Sequence, residues 1–223
     1  MPNYILNTSR QMAKRHGREK RFKWYGRIAI FISIAFLIFM FSAIVFRGAS
    51  AFQQTKISLD INFSEAIIDP TSSRDPEILK RANYKPVVLE SLSNVIPGIT
   101  DRRDRNRVYK LLSAGAVFDL GEQVASNPKL LGKSKSVWLL ASSEVDLFMK
   151  GKIDSNISED LRRLKDKDIE WIEILKSQGK IKKTFNTTLF GKGDSREPEM
   201  AGILGAAIGS FFSLLVCFLI AFP

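Results

Sequence analysis

Two stretches, IAIFISIAFLIFMFSAIVF (residues 28–46) and MAGILGAAIGSFFSLLVCFLIAF (residues 200–222), hold no Asp, Glu, Lys or Arg across 19 and 23 positions. An α-helix rises about 1.5 Å per residue, so about 20 apolar residues cross a hydrocarbon layer of about 30 Å. Each stretch therefore reads as a transmembrane helix. The polar middle, residues 47–199, is long enough for one domain. The expected fold class is a membrane protein in which two transmembrane α-helices flank an extracytoplasmic mixed α+β domain. The segments follow: a basic cytoplasmic tail at 1–27, a first span at 28–46, the domain at 47–199 and a second span at 200–222.

Charge sets the orientation. Residues 1–27 carry eight basic side chains (Arg10, Lys14, Arg15, Arg18, Lys20, Arg21, Lys23 and Arg27) against the one acid Glu19. Residues 47–199 hold 26 basic and 22 acidic residues, so most of the net charge of +11 sits in the tail. Lys and Arg are retained on the cytoplasmic side of a first helix. The flank after the first span offers only Arg47 and Lys56 up to residue 62. The expected placement is multi-pass in a membrane, with a cytoplasmic N-terminus. The positive charge thus has an explanation in topology, and no nucleic-acid partner is expected. Phe22, Trp24 and Tyr25 fall where aromatic side chains meet lipid headgroups, and the tail suits anionic lipid. Ala49-Ser50-Ala51 resembles a signal-peptidase site, but signal-peptide apolar cores run about 7–15 residues, so an uncleaved anchor is expected.

The chain has one cysteine, Cys217, inside the second span, and one histidine, His16, in the tail. No intrachain disulfide can form, and zinc or haem ligation has little sequence support. No cofactor is expected, and no Ser/His/Asp set can assemble outside the membrane. No phosphate-binding glycine loop is present. The chain does not read as an enzyme.

Within the middle segment, Ile57, Leu59, Ile61 and Phe63 alternate with Ser58, Asp60 and Asn62, the period of a half-buried strand. Asp69 to Pro76 reads as a loop with two prolines. Helical patterns follow at 86–95, with Pro86 in the first turn, at 101–113, and at 117–126 before Asn127-Pro128. Residues 136–141 are a short apolar run of strand length, and 143–149 a short helix closed by Gly151. The spacing predicts a longer helix over 159–177 with Ser158 as N-cap. It would carry Leu161, Leu164, Ile172 and Leu175 on one face, Trp171 at its edge and Asp168 as a polar notch. A final strand is expected at 181–190. The charge cluster Asp101 to Arg107 reads as a solvated helix start, its interleaved acids working against an anion site. Arg162-Arg163 and Lys180, Lys182 and Lys183 read the same way.

The second span is more specific. Ala201, Gly205, Gly209 and Ser213 recur every four residues, with Gly202, Ala206 and Ser210 beside them. Small residues at this spacing let helix backbones approach closely in lipid, so these four are the candidate helix-packing residues. The first span has bulky Ile and Phe instead, which suits a lipid-facing place.

Several blocks together resemble a known family. They are Arg21-Phe22 through Gly26, Ile57 to Asp60, Asp69-Pro70, Val137 to Leu139, Gly151 to Asp154, Asp166 to Trp171, and above all Gly193 to Ile203 leading into Gly205 through Pro223. The chain resembles the N-terminal part of the phosphate ABC-transporter permease subunit family PstA, in its alphaproteobacterial form with an extra N-terminal domain. The resemblance implies a non-catalytic subunit of an ATP-driven inorganic phosphate importer. It also implies the partners: a second permease PstC, the ATPase PstB and the phosphate-binding protein PstS. In that light residues 200–222 would be the first helix of a truncated permease core, without the loop that docks on the ATPase. No phosphate-contacting residue can be carried over. The alternative expectation is a two-span receptor with an extracytoplasmic sensing domain whose output region is missing.

Overall fold

The computed structural model describes residues 3–154 and 157–222, with side chains described from residue 20 onward. The side chains of Arg10, Lys14, Arg15, His16, Arg18 and Glu19, and Pro223, therefore lie outside the described set. The chain forms two compact units, residues 1–50 and 51–223.

The first unit is helix α1, Asn3–Gly48, followed by a 3₁₀ turn that begins at Ala49. The basic tail and the first apolar run are thus one continuous helix of 46 residues. The sequence has no proline between Tyr4 and Gly48 to interrupt it, and none of its apolar window is buried. Ile30, Phe31, Phe36 and Phe39 are all exposed.

The second unit is a mixed α/β fold on a small antiparallel sheet. Its strands are β1 (Gln53–Asn62), β2 (Ser134–Leu140) and β3 (Ile181–Phe185), in the order β2-β1-β3. Between β1 and β2 run five helices: α2 (Glu65–Ile68), α3 (Pro76–Arg81), α4 (Lys85–Val95), α5 (Arg102–Tyr109) and α6 (Ala114–Ser126). Helices α7 (Ser143–Met149) and α8 (Asp166–Ser177) link β2 to β3, and α9 (Thr188–Gly191) and α10 (Leu204–Ala221) follow.

The period of two in β1 is the organising fact. Ile57, Leu59 and Ile61 point to one face and are fully buried there. Opposite them in register stand Leu139, Val137 and Lys135 of β2, and Ile181 of β3 faces Ile57. Helix α4 covers this face through Val87, Val88 and Leu92, and Ser91 fastens it by donating to the Asp60 carbonyl at 2.8 Å. The other face is polar and lightly covered. There the Lys182 ammonium sits 3.7 Å from the Trp138 ring centroid, a cation–π contact, and Lys180 pairs with Asp60.

Local chemistry places the helix starts. Asp75 caps α3 by accepting from the Glu77 N–H at 2.9 Å, with Pro76 in the first turn. Ser113 caps α6 by accepting from Gly115 N–H. Gly179 closes α8 in the left-handed region at φ 67°, where a side chain would be strained.

Several element boundaries are corrected. The helix read over 159–177 is split: a 3₁₀ turn at Glu159–Leu161, then α8 from Asp166. Ser158 makes no capping hydrogen bond, whereas the Asp168 carboxylate accepts from Lys165 N–H at 3.0 Å and starts the helix there. Leu161 is consequently 80% exposed and shares no face with the buried Ile172 and Leu175. The strand read over 181–190 stops at Phe185, because Asn186 turns the chain: its side chain accepts from Leu189 N–H and donates to the Ala51 carbonyl. The helix read over 101–113 ends at Tyr109, and Ser113 already caps the next one. Lastly, residues 64–81 contain the short helices α2 and α3 around the Asp69 loop. Strand β1 and helix α6 both begin earlier than their patterns suggested, at Gln53 and Ala114.

Candidate functional site

The packing face proposed for the second span is carried by α10, whose side chains are all exposed within the chain. Gly205, Gly209 and Ser213 lie on it at four-residue spacing. Ala201 does not: it sits in extended backbone (φ −72°, ψ 137°) after a 3₁₀ turn at Pro198–Met200, before the helix begins. The neighbouring Gly202 has a different task. A Cβ there would stand 2.1 Å from the Lys192 carbonyl oxygen, so only glycine permits this crossing. The Gly202 N–H donates to the Gly193 carbonyl at 2.8 Å, and Ile203 N–H to the Leu189 carbonyl at 2.8 Å. These bonds tie the start of α10 to α9. At Gly209 nothing lies within 4 Å of a built Cβ. The open part of the small face is therefore available to another helix.

Next to this junction lies a cleft of about 740 Å³ between the ends of α5, the starts of α6, α7 and α8, and the turn before α10. Its charged lining is balanced: Arg107, Lys110, Arg163 and Lys165 against Glu144, Asp168, Glu197 and Glu199. Most of these charges are already engaged. Asp168, the expected polar notch, is buried and accepts from the Arg107 guanidinium at 2.9 Å. That guanidinium and the Lys167 ammonium each lie 5.7 Å from the Trp171 ring centroid, and Lys167 pairs with Asp104 at 2.5 Å. The charge cluster at 101–107 is thus half solvated face and half seam between α5 and α8. Arg163 pairs with Glu144 and Lys165 with Glu159, whereas the buried Glu199 Oε2 has no hydrogen-bond partner among the described residues. Among the described residues no group of three or more His, Cys, Asp or Glu comes together as a metal site.

Two polar clusters were not among the candidate site residues. The Asp146 carboxylate accepts from both the N–H and the hydroxyl of Thr55, each at 2.8 Å, and pairs with Lys150 at 2.5 Å, joining α7 to β1. The Asp69 carboxylate accepts from Thr71, from Ser73 and, at 2.7 Å, from Arg74 N–H. That last bond, more than any other, holds its carboxyl below the usual value against the opposing effect of burial. The ring of donors holds Ser72 and Arg74 at positive φ (50° and 52°), where residues with a Cβ are uncommon. The first cluster joins residues 91 positions apart, which no local spacing reveals; the second is local and lies within the loop read from Asp69 to Pro76.

The fold and its junction define a class: an α/β domain carried between two helices long and apolar enough to cross a membrane, an arrangement that points to membrane association. The chain belongs to the family described as Domain of unknown function (DUF3333), which matches residues 9–159. No curated protein and no solved structure matches it. The family match ends at the 3₁₀ turn before α8. The sheet does not: β3 pairs with β1 from beyond that boundary.

Proposed function

We propose that this chain is a PstA-type permease subunit, or the N-terminal part of one, in an ATP-driven importer of inorganic phosphate. It works beside the second permease PstC, is powered by the ATPase PstB and receives phosphate from PstS. It lies in the bacterial inner membrane with its N-terminus in the cytoplasm and the α/β domain outside. The observation that supports this reading is α10, apolar on all sides, exposed along its length among the described residues and carrying Gly205, Gly209 and Ser213 at four-residue spacing. In lipid, apolar contact alone drives little association, and small faces of this kind bring helices together. The block Gly193 to Ile203 leading into this helix carries the family resemblance. The orientation rests on the eight basic residues before the first span.

The test is made in the host that encodes the chain. Deleting its gene should abolish high-affinity uptake of radiolabelled phosphate, and restoring the gene should recover it. A reporter active only outside the cytoplasm should work when fused after Asp104 and fail after Tyr25. Unchanged uptake in the deletion strain would sink the permease reading and leave the two-span receptor; a reversed reporter pattern would overturn the orientation.

A further inference from the structure

Three phenylalanines stand in a row at one end of the sheet. Phe185 is the last residue of β3 and faces Gln53, the first residue of β1; Phe52 immediately precedes β1; Phe190 lies on α9. The Phe190 ring is in the middle, its centroid 6.0 Å from that of Phe52 and 5.8 Å from that of Phe185, with interplanar angles of 15° and 7°. The core does not absorb them: they remain 45%, 61% and 46% exposed in chain order. A contiguous aromatic stack facing water forgoes the burial that makes such rings worthwhile.

Chain connectivity identifies what covers it. Phe52 follows the last residue of α1, Gly48, by four positions, a reach of at most about 14 Å. On the other side, Leu189, the neighbour of Phe190, accepts the hydrogen bond from Ile203, and α10 starts at the next residue. Both apolar helices therefore join the domain within a few residues of these rings. The opposite end of β1, ten residues away at about 3.3 Å each, carries the exposed polar Asn62 and Ser134. Aromatic side chains favour the headgroup level of a bilayer, where a ring meets acyl chains and its backbone meets water.

We infer that Phe52, Phe185 and Phe190 form an interfacial platform that seats the α/β domain on the surface of the lipid bilayer. The inference rests on the reading of α1 and α10 as membrane spans. It is a second aromatic contact, separate from Phe22, Trp24 and Tyr25 before the first span. It fixes the height of the sheet above the membrane: the rings lie at the boundary and the Asn62 end points away.

The test uses the full chain with Cys217→Ala, reconstituted in phosphatidylcholine–phosphatidylglycerol vesicles. Single cysteines are introduced and spin-labelled at Phe52, Phe185, Phe190, Ser134 and Phe212. Thr187→Cys, exposed between β3 and α9, keeps all three rings and guards against loss of the stack. Collision with oxygen, which concentrates in lipid, is compared with collision with a water-soluble nickel complex. The three ring positions and Thr187 should show an oxygen-to-nickel ratio several-fold above that at Ser134 and below that at Phe212. If Phe212 is as open to nickel as Ser134, the span reading itself fails. If Phe212 is deep while the ring positions and Thr187 match Ser134, the platform is overturned. Ring positions shielded from both reagents would overturn it too, in favour of a protein surface on the stack.

Discussion

Strand β1 carries Ile57, Leu59 and Ile61 and helix α10 is rich in Ile, Leu and Phe, yet the surroundings of these side chains are opposite. Ile57, Leu59 and Ile61 are 0% exposed, while Phe211, Leu214 and Ile220 are 62%, 71% and 76% exposed. The difference lies in how the apolar residues are distributed around each element. Alternation gives β1 one apolar face, which α4 can cover while the polar face stays wet. α10 is apolar all round, so no single neighbour satisfies it and it calls for an apolar solvent or a bundle.

The largest expected effect breaks this comparison at its centre. Leu59→Ala removes a fully buried side chain from the central strand and should cost about 2–5 kcal/mol of domain stability. Phe211→Ala removes a larger side chain from α10 and should leave the domain's unfolding within about 0.5 kcal/mol of wild type. Chemical denaturation of the full chain in detergent, followed by tryptophan fluorescence, measures both. Equal losses would mean that α10 belongs to the domain core.

The same contrast explains what was legible in the sequence. The two apolar helices and β1 could be read because each is a repeated local pattern, and α7 because its ends carry local signals. The break between residues 161 and 166 could not, because it depends on Asp168 choosing Lys165 N–H and Arg107 as partners. The latter is 61 positions away. Asn186 stopped β3 through a bond to Ala51, again a long-range contact. At the candidate face, Gly205, Gly209 and Ser213 were legible by spacing. Ala201 matched the spacing without the helix, since the chain enters α10 only at Leu204. The cleft, built from α5 to α8 and the turn before α10, had no signal in any one segment.

A smaller effect sharpens the comparison at glycines. Gly121 on α6 lies against the backbone of α3, and a Cβ there would be 2.6 Å from the Lys80 carbonyl oxygen. Because backbone has to shift, Gly121→Ala should cost about 1–3 kcal/mol. Gly209 meets nothing within 4 Å, so Gly209→Ala should leave domain stability unchanged. On the permease reading proposed above, Gly209→Leu should instead lower co-purification with a second permease subunit, at unchanged domain stability. One glycine then serves folding and the other association. Loss of domain stability in Gly209→Ala would erase the distinction.

The smallest expected effect is on pH dependence, and it too belongs to one region. Neither span holds an Asp, Glu, Lys or Arg, so the pH response is that of the domain. Tyr84 is buried and donates its hydroxyl proton to the Leu79 carbonyl at 2.7 Å; burial pushes its pKa from 10.0 up to about 12. The folded state thus disfavours the phenolate. Its contribution is fully present below pH 10 and is lost as pH rises from there to about 12. Burial raises Tyr109 in the same direction. On the acid side, Asp69 is held low chiefly by Arg74 N–H, and Asp60 by the hydrogen bond from Lys180. Their contributions are present above the ordinary value of 3.8 and fall away as pH drops through their lower folded values. Stability should therefore be level in the middle and decline at both ends. Tyr84→Phe should lower mid-range stability by about 1 kcal/mol through the lost hydrogen bond, and make the alkaline decline shallower. Melting temperatures of wild type and variant from pH 3 to 11 decide the matter. An alkaline decline equally steep in Tyr84→Phe would show that Tyr84 does not set it.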